Sequence, residues 1–299
     1  TYAGITVVDG VSFEVNEGEI FGIVGPNGAG KTTTVESVEG LRRPDAGSIR
    51  VLGLDPQEDR LELTQRLGAQ LQESRLQDKI RVGEALDLYA SFYSSPTDWR
   101  ELLERLGLAD KANARYLSLS GGQKQRLSVA LALVGSPEIA ILDELTTGLD
   151  PRARRSTWDT IEMIRDDGVT VVLVTHFMEE AERLCDRIMV VDRGRVVAID
   201  SPSGLVASTE SQQLMRFRPS EPIEDAILVA LPDVTAVDHS GPLIVLSGGG
   251  NMVHEVTSLL ARRRIIAQEL RVEQASLEDA YLQLTMTDKD MVDSNAEGM

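Results

Sequence analysis

Gly25-Pro26-Asn27-Gly28-Ala29-Gly30-Lys31-Thr32-Thr33 follows the apolar run Ile20 to Val24 and precedes a helix-like segment, Thr33 to Leu41. The pattern is G-x-x-x-x-G-K-[ST] between a strand and a helix, the context in which such a loop binds phosphate. Its glycines let the backbone curl until several N–H groups point inward, and the following helix adds its positive N-terminal end. Lys31 is expected to reach the β- and γ-phosphates of a nucleotide, and the Thr32 hydroxyl to ligate Mg²⁺. The bland alternative is a Gly-rich turn with no ligand.

The segments around this loop predict an α/β core. Ile139 to Leu142 and Val169 to Val174 are continuous apolar strands like Ile20 to Val24. The segments Gln123 to Val134, Pro151 to Arg165 and Phe177 to Leu184 read as the helices between and after them. Apolar strands alternating with helices imply a largely parallel sheet covered on both faces. Ile188 to Val191 and Arg195 to Ile199 form a hairpin across Asp192-Arg193-Gly194. Thr1 to Val15 alternates apolar and polar residues around Asp9-Gly10, which predicts strands about a tight bend, and Ser48 to Leu52 predicts another short strand. Glu58 to Arg66 reads as a modest helix and Leu67 to Leu71 as a strand ending at Gln72. From there to Ser120 the pattern is helical, with Val82, Leu86, Tyr89, Ala90 and Tyr93 on one face and Trp99, Leu102, Leu103 and Leu106 on another.

After Ser201-Pro202-Ser203-Gly204 the style changes. The order becomes strand, helix, strand, strand, helix, strand, then a last helix from Ser276 to Leu284, which resembles a small ferredoxin-like α+β unit. The expected organisation is residues 1–205 as a nucleotide-binding domain with a helical subdomain over about 73–120, residues 206–286 as an accessory domain, and residues 287–299 as an acidic tail.

A chain of 299 residues is comfortable for two such domains. Its 48 acidic and 30 basic residues give a net charge of −18 and a pI near 4.6. That balance disfavours nonspecific binding to nucleic acid or anionic lipid. No run approaches the ~20 apolar residues of a spanning helix, so no direct membrane insertion is expected. No secretory leader is recognisable, and because the chain begins at Thr1 a short N-terminal piece is expected to precede it. The single cysteine, Cys185, suits a reducing compartment and reads as a small buried residue.

The phosphate loop alone does not name a function, but Leu119-Ser120-Gly121-Gly122-Gln123 narrows it. This pentapeptide sits before a helix, where a Ser hydroxyl and Gly N–H groups make a second anion-binding device as well as a natural cap. Here the sequence, from Tyr2 to about Ile199, resembles the nucleotide-binding subunit of ATP-binding-cassette (ABC) transporters, a P-loop NTPase family. The resemblance implies that the pentapeptide touches the ATP held by a partner subunit's phosphate loop, so the working unit is expected to be a head-to-tail dimer, with a second copy of the chain as partner. Ile139 to Glu144 matches the Walker B segment, with Asp143 holding Mg²⁺ and Glu144 acting as general base. Gln72 matches the Gln-loop residue that touches Mg²⁺ and water, with Gln70 a rival by spacing. His176 matches the switch histidine, Gly148-Leu149-Asp150 the loop crossing the dimer interface, and Tyr2 the aromatic that stacks on adenine. Leu145 departs from the family's usual Pro, which puts the turn after Glu144 in question.

The family resemblance further implies ATP and Mg²⁺ as cofactors and a separate transmembrane permease that would hold this chain at the cytoplasmic face of the membrane. The ending Ser276 to Thr285 is similar to drug-resistance ATP-binding subunits that work with ABC-2-type permeases, so export of a drug, antibiotic or lipid-like compound is expected, with polysaccharide or ion export as alternatives. A soluble ABC ATPase acting on ribosomes or DNA is the competing class; such proteins usually carry two cassettes or a long coiled coil, and neither is present here.

Overall fold

The computed structural model describes residues 4, 6–70, 76–208, 213–273 and 276–285. The chain divides after Pro202 into two compact units. In the first, the strands are β1 (Ile20–Val24), β2 (Leu67–Gln70), β3 (Ile139–Asp143), β4 (Thr170–Thr175), β5 (Arg187–Asp192) and β6 (Arg195–Asp200). They form one sheet in the order β2-β3-β4-β1-β5-β6. Every neighbouring pair is parallel except β5 and β6. That last pair is the expected hairpin, turned by Arg193 and Gly194, both at positive φ (47° and 79°).

The helices α1 (Lys31–Val38), α2 (Arg60–Arg66), α3 (Val82–Ala90), α4 (Trp99–Arg105), α5 (Gly121–Leu133), α6 (Pro151–Asp166) and α7 (Met178–Leu184) complete this unit. The central strands are buried on both faces because helices cover them, which is why they read as unbroken apolar runs. One cluster joins Phe21, Ile23, Val35, Ile141, Val172 and Met189 beneath α1. Leu127, Trp158 and Ile161, from α5 and α6, are also buried. The predicted helical insertion is present: α3 and α4 are tied by the Trp99 indole N–H, which donates to Asp87 Oδ1 (2.6 Å).

Two strand expectations fail among the described residues. Residues 6–16 contain no strand, and of Ser48 to Leu52 only Val51 forms a bridge, to Leu54. The alternation at Val11, Phe13 and Val15 is satisfied by packing against the sheet core instead, with the Phe13 ring stacked on Phe21 at 5.6 Å. A pattern of period two reports which side chains are buried, and it does not require that the backbone find a ladder.

The second unit begins with α8 (Pro202–Ser208), a helix where the sequence suggested only a change of style. There follow β7 (Gln213–Pro219), α9 (Asp225–Val229), β8 (Val234–Ser240), β9 (Leu243–Gly248), α10 (Met252–Arg262) and β10 (Ala267–Glu273). A final helix, α11, spans 277–285. The four strands form an antiparallel sheet in the order β10-β7-β9-β8, the arrangement expected of a βαββαβ unit. Met215 and Phe217 of β7, Ile244 and Leu246 of β9, and Val256 and Leu260 of α10 share its core. Ser276 and Asp279 cap α11 reciprocally: Asp279 N–H donates to Ser276 Oγ (3.2 Å) and Ser276 N–H to Asp279 Oδ2 (2.9 Å).

Helix α5 lies so close to β2 that a β-carbon on Gly68 would sit 2.1 Å from the Ala132 carbonyl oxygen. Gly68→Ala must push backbone against backbone, and we expect a loss of about 1–3 kcal/mol, read as a drop of a few degrees in the thermal midpoint of the full chain. An unchanged midpoint would contradict this close approach.

Candidate active site

The register of three parallel strands places the candidate residues in a row. Val24 at the end of β1 pairs with Thr175 of β4, and Val174 pairs with Asp143 at the end of β3. The next residues along the three strands are therefore Gly25, His176 and Glu144, all at the carboxyl edge of the sheet, where ligands of α/β proteins gather.

Gly25 opens the phosphate loop, which ends at Gly30 with φ 99°. Only glycine holds that conformation without strain, and a β-carbon there would also lie 2.7 Å from the Val7 carbonyl oxygen. The first rung of α1 is Thr34 N–H donating to the Gly30 carbonyl (2.9 Å). The N–H groups of Lys31, Thr32 and Thr33 precede that ladder and are the positive end of the helix. From the far side the hairpin turn clasps the loop: Gly194 N–H donates to the Ala29 carbonyl (2.9 Å), and Asp9 N–H to the Gly194 carbonyl (2.7 Å). Lys31 is buried, and its Nζ crosses the loop to donate to the carbonyls of Gly25 (2.8 Å) and Pro26 (3.1 Å). Burial lowers the Lys31 pKa, and the charges of Glu144 and Asp143 oppose that fall.

Asp143 is 6% exposed. Burial, reinforced by Glu144, pushes its carboxyl up to about 6, while Lys31 pulls the other way. Its Oδ1 is buried and makes no hydrogen bond. An orphaned carboxylate oxygen is the kind of group a hard cation satisfies. Among the described residues no group of three or more His, Cys, Asp or Glu side chains is placed to hold a metal by itself. The lone buried Asp143 oxygen would suit Mg²⁺, which keeps its waters and shares substrate phosphates rather than sitting in an all-protein cage. Asp143 and the hydroxyl of Thr32, an exposed residue in the first turn of α1, would be the residues to hold it.

Glu144 adopts φ 49°, its N–H donating to the Val174 carbonyl (2.9 Å). His176 Nδ1 lies 3.2 Å from Glu144 Oε1. A carboxylate only accepts, so the imidazole donates through Nδ1, leaving Nε2 as the ring atom that can meet a ligand. The turn that follows is formed without a proline. Thr147 N–H donates to the Glu144 carbonyl and Leu149 N–H to the Thr146 carbonyl (3.2 Å each), and Leu145 itself is fully buried as an apolar anchor.

Ser120 caps α5 by a reciprocal box: Gln123 N–H donates to Ser120 Oγ (3.4 Å) and Ser120 N–H to Gln123 Oε1 (2.9 Å). Leu119 is buried beneath, while Ser120 and Gly121 are exposed. This corner rests on the loop Gly148-Leu149-Asp150: a β-carbon at Gly121 would touch Leu149 Cδ2 (3.8 Å), and one at Gly122 would lie 3.3 Å from Ala153 Cβ. Asp150 caps α6 by accepting from the N–H groups of Arg152 and Ala153 (2.9 Å each), with Pro151 as the first helical residue. The pentapeptide and the Gly148 to Asp150 loop thus pack side by side.

Tyr2 and Gln72 lie outside the described residues. Gln70, the rival to Gln72, is buried and closes β2 opposite Leu142. Three residues near the site escaped the sequence reading. Burial and the charges of Asp143 and Glu36 raise the Glu39 carboxyl to about 7. Its signal was a place two helical turns after Thr32. The Phe177 ring packs 4.1 Å from the His176 ring, and the Arg154 guanidinium lies 4.6 Å from the Phe177 centroid. Adjacency to His176 marked Phe177, and nothing in the sequence marked Arg154.

Comparison with known proteins bears on the family and the fold. The ABC transporter family profile matches residues 8–147. A curated relative from Paraburkholderia xenovorans, the Nod factor export ATP-binding protein I, is 40% identical over 298 residues, covering 95% of this chain and 94% of the relative. That alignment extends through the C-terminal unit. Among solved structures, an ATP-binding subunit of an ABC transporter superposes with a TM-score of 0.63 at 27% identity, covering 69% of this chain and 88% of the other. A dimeric cassette in a post-hydrolysis state bound to ADP and Pi superposes with a TM-score of 0.59 at 28% identity, covering 66% and 91%. By that family profile and that relative, the chain belongs to the family of ATP-binding, ATP-hydrolysing subunits of ABC transporters.

Proposed function

We propose that this ATPase works as a head-to-tail homodimer that drives export through a separate ABC-2-type permease at the cytoplasmic face of the membrane. The cargo we assign to it is amphiphilic: a drug, an antibiotic or a lipid-like compound. The observation that carries the reading is the contact between His176 and Glu144 at the strand edge beside Lys31 and Asp143. The curated relatives are named for Nod factor export, which supports the direction of transport. No helix among the described residues is long and apolar enough to cross a membrane, so the pore is assigned to another polypeptide.

In this mechanism the loop amides and Lys31 bind the ATP phosphates, and Tyr2 stacks on the adenine. Asp143, Thr32 and Gln72 would hold Mg²⁺, which would supply positive charge beside the phosphates. Glu144 accepts a proton from the attacking water, and His176, oriented by Glu144 through Nδ1, faces the γ-phosphate through Nε2. Ser120 to Gln123 of one subunit close on the ATP of the other, with Gly148 to Asp150 at the seam. The exposure of Ser120 and Gly121 supports this division of labour. Removing the γ-phosphate removes the bridge between subunits, and reopening moves the permease.

Glu144→Gln is expected to keep ATP affinity, lose at least about 10²-fold in turnover and accumulate as an ATP-bound dimer in size-exclusion light scattering. Wild-type turnover by that variant would refute the assigned base. For the wild type, activity per subunit should rise with protein concentration; strict proportionality where the chain is monomeric would remove the composite site. A third expectation concerns pH. A carboxyl raised to about 6 is charged above that value and protonated below it, so the Mg²⁺ concentration for half-maximal turnover should climb as pH falls through about 6. A flat Mg²⁺ requirement from pH 8 to 5.5 would exclude Asp143 as the ligand. Affinity capture of the full chain that returned ribosomes and no membrane protein would sink the transporter assignment.

A further inference from the structure

Arg154 lies one turn into α6. Its main-chain N–H donates to the Asp150 carbonyl (2.9 Å), so its backbone is fastened to the residue that caps the helix and ends the interface loop. Its side chain is placed less conventionally. Nε is buried and makes no hydrogen bond, and among the described residues the guanidinium forms no ion pair. Such a group carries a desolvation cost that proteins seldom leave without return. What it has instead is the face of Phe177, 4.6 Å from guanidinium carbon to ring centroid, the arrangement in which an aromatic quadrupole attracts a cation.

Phe177 is held from two directions. Its N–H donates to Thr175 Oγ1 (3.0 Å), fixing the backbone at the end of β4, and Arg154 covers its ring. The ring meets the His176 imidazole at 4.1 Å between centroids and 39° between planes. The His176 side chain is one-third exposed, and its contact with Glu144 is a single one at 3.2 Å. Free rotation about the His176 side chain would break that contact, and the Phe177 wall restricts the rotation.

We propose that Arg154 is a positioning residue that presses Phe177 against His176, keeping Nδ1 on Glu144 and linking the Gly148 to Asp150 loop to the hydrolytic pair. The inference rests on the roles assigned to Glu144 and His176 above. It follows that a partner subunit displacing α6 at its start also displaces the wall that orients the histidine. Arg154 touches neither nucleotide nor water in this scheme, so its contribution belongs in turnover and not in nucleotide binding.

The test measures steady-state ATPase activity, ATP affinity by a fluorescent analogue, and thermal midpoint for the full-length chain. Arg154→Met, which keeps the stem and removes the cation, should lower kcat about tenfold with ATP affinity unchanged. Arg154→Lys, which keeps a cation over the ring, should recover most of the loss. Phe177→Leu should match Arg154→Met, and the double variant should lose no more than either alone, because both remove one device. Phe177→Tyr, which keeps the aromatic face, should retain turnover, and this pair carries the test if Arg154→Met fails to fold. Wild-type kcat for Arg154→Met or Phe177→Leu, a double variant whose loss is the product of the two, or a parallel loss of ATP affinity would each overturn the inference. His176→Ala separates the levels: turnover lost there but retained in Arg154→Met refutes this inference alone, whereas turnover retained in His176→Ala overturns the site assignment and the inference with it.

Discussion

The constraint on which the molecule depends is the parallel register of β1, β4 and β3. Gly25, His176 and Glu144 are far apart in sequence, and they become neighbours only because Val24, Thr175, Val174 and Asp143 are paired across the sheet. A slip of one residue in either pairing would turn every side chain of a strand to the other face. It would also remove a buried strand from the Phe21, Ile141 and Val172 cluster. The apolar packing that fixes the register for stability fixes the active-site spacing as well, so the same residues serve both ends.

The electrostatics follow from that placement. A chain with a net charge of −18 binds a polyanion, which net charge alone would oppose. The field that matters is local: main-chain amides at the start of α1, and a buried ammonium held at the loop by the Gly25 and Pro26 carbonyls. Against it stand Asp143 and Glu39, both raised by burial and by their neighbours. Their proximity tempers the positive field of the loop.

The sequence was legible where one force dominated. The buried strands appeared as continuous apolar runs because both of their faces are covered, and the phosphate loop and capped pentapeptide appeared because their backbone geometry restricts residue type. The second unit could be read from its order of strands and helices. Legibility ended where packing replaced a ladder. Val11, Phe13 and Val15 carry a strand's pattern, yet they dock on the sheet without pairing. It also ended where function arises from a meeting of distant side chains: no local pattern puts Arg154 on Phe177, since that contact exists only after α6 and α7 have packed. Leu145 shows the converse, a departure from the family's proline that full burial accommodates.

The clasp on the phosphate loop bears on how the protein is made. The Ala29 carbonyl is held by the N–H of Gly194, a residue that leaves the ribosome long after the loop itself. A nascent chain that has emerged only as far as β4 already carries the loop, Asp143 and Glu144, but lacks the turn that fixes the loop from behind. Because contacts of such sequence separation cannot form until both ends exist, this bond to the loop must wait until Gly194 has been made. An incomplete chain lacks the clasp that the finished unit places behind its phosphate loop.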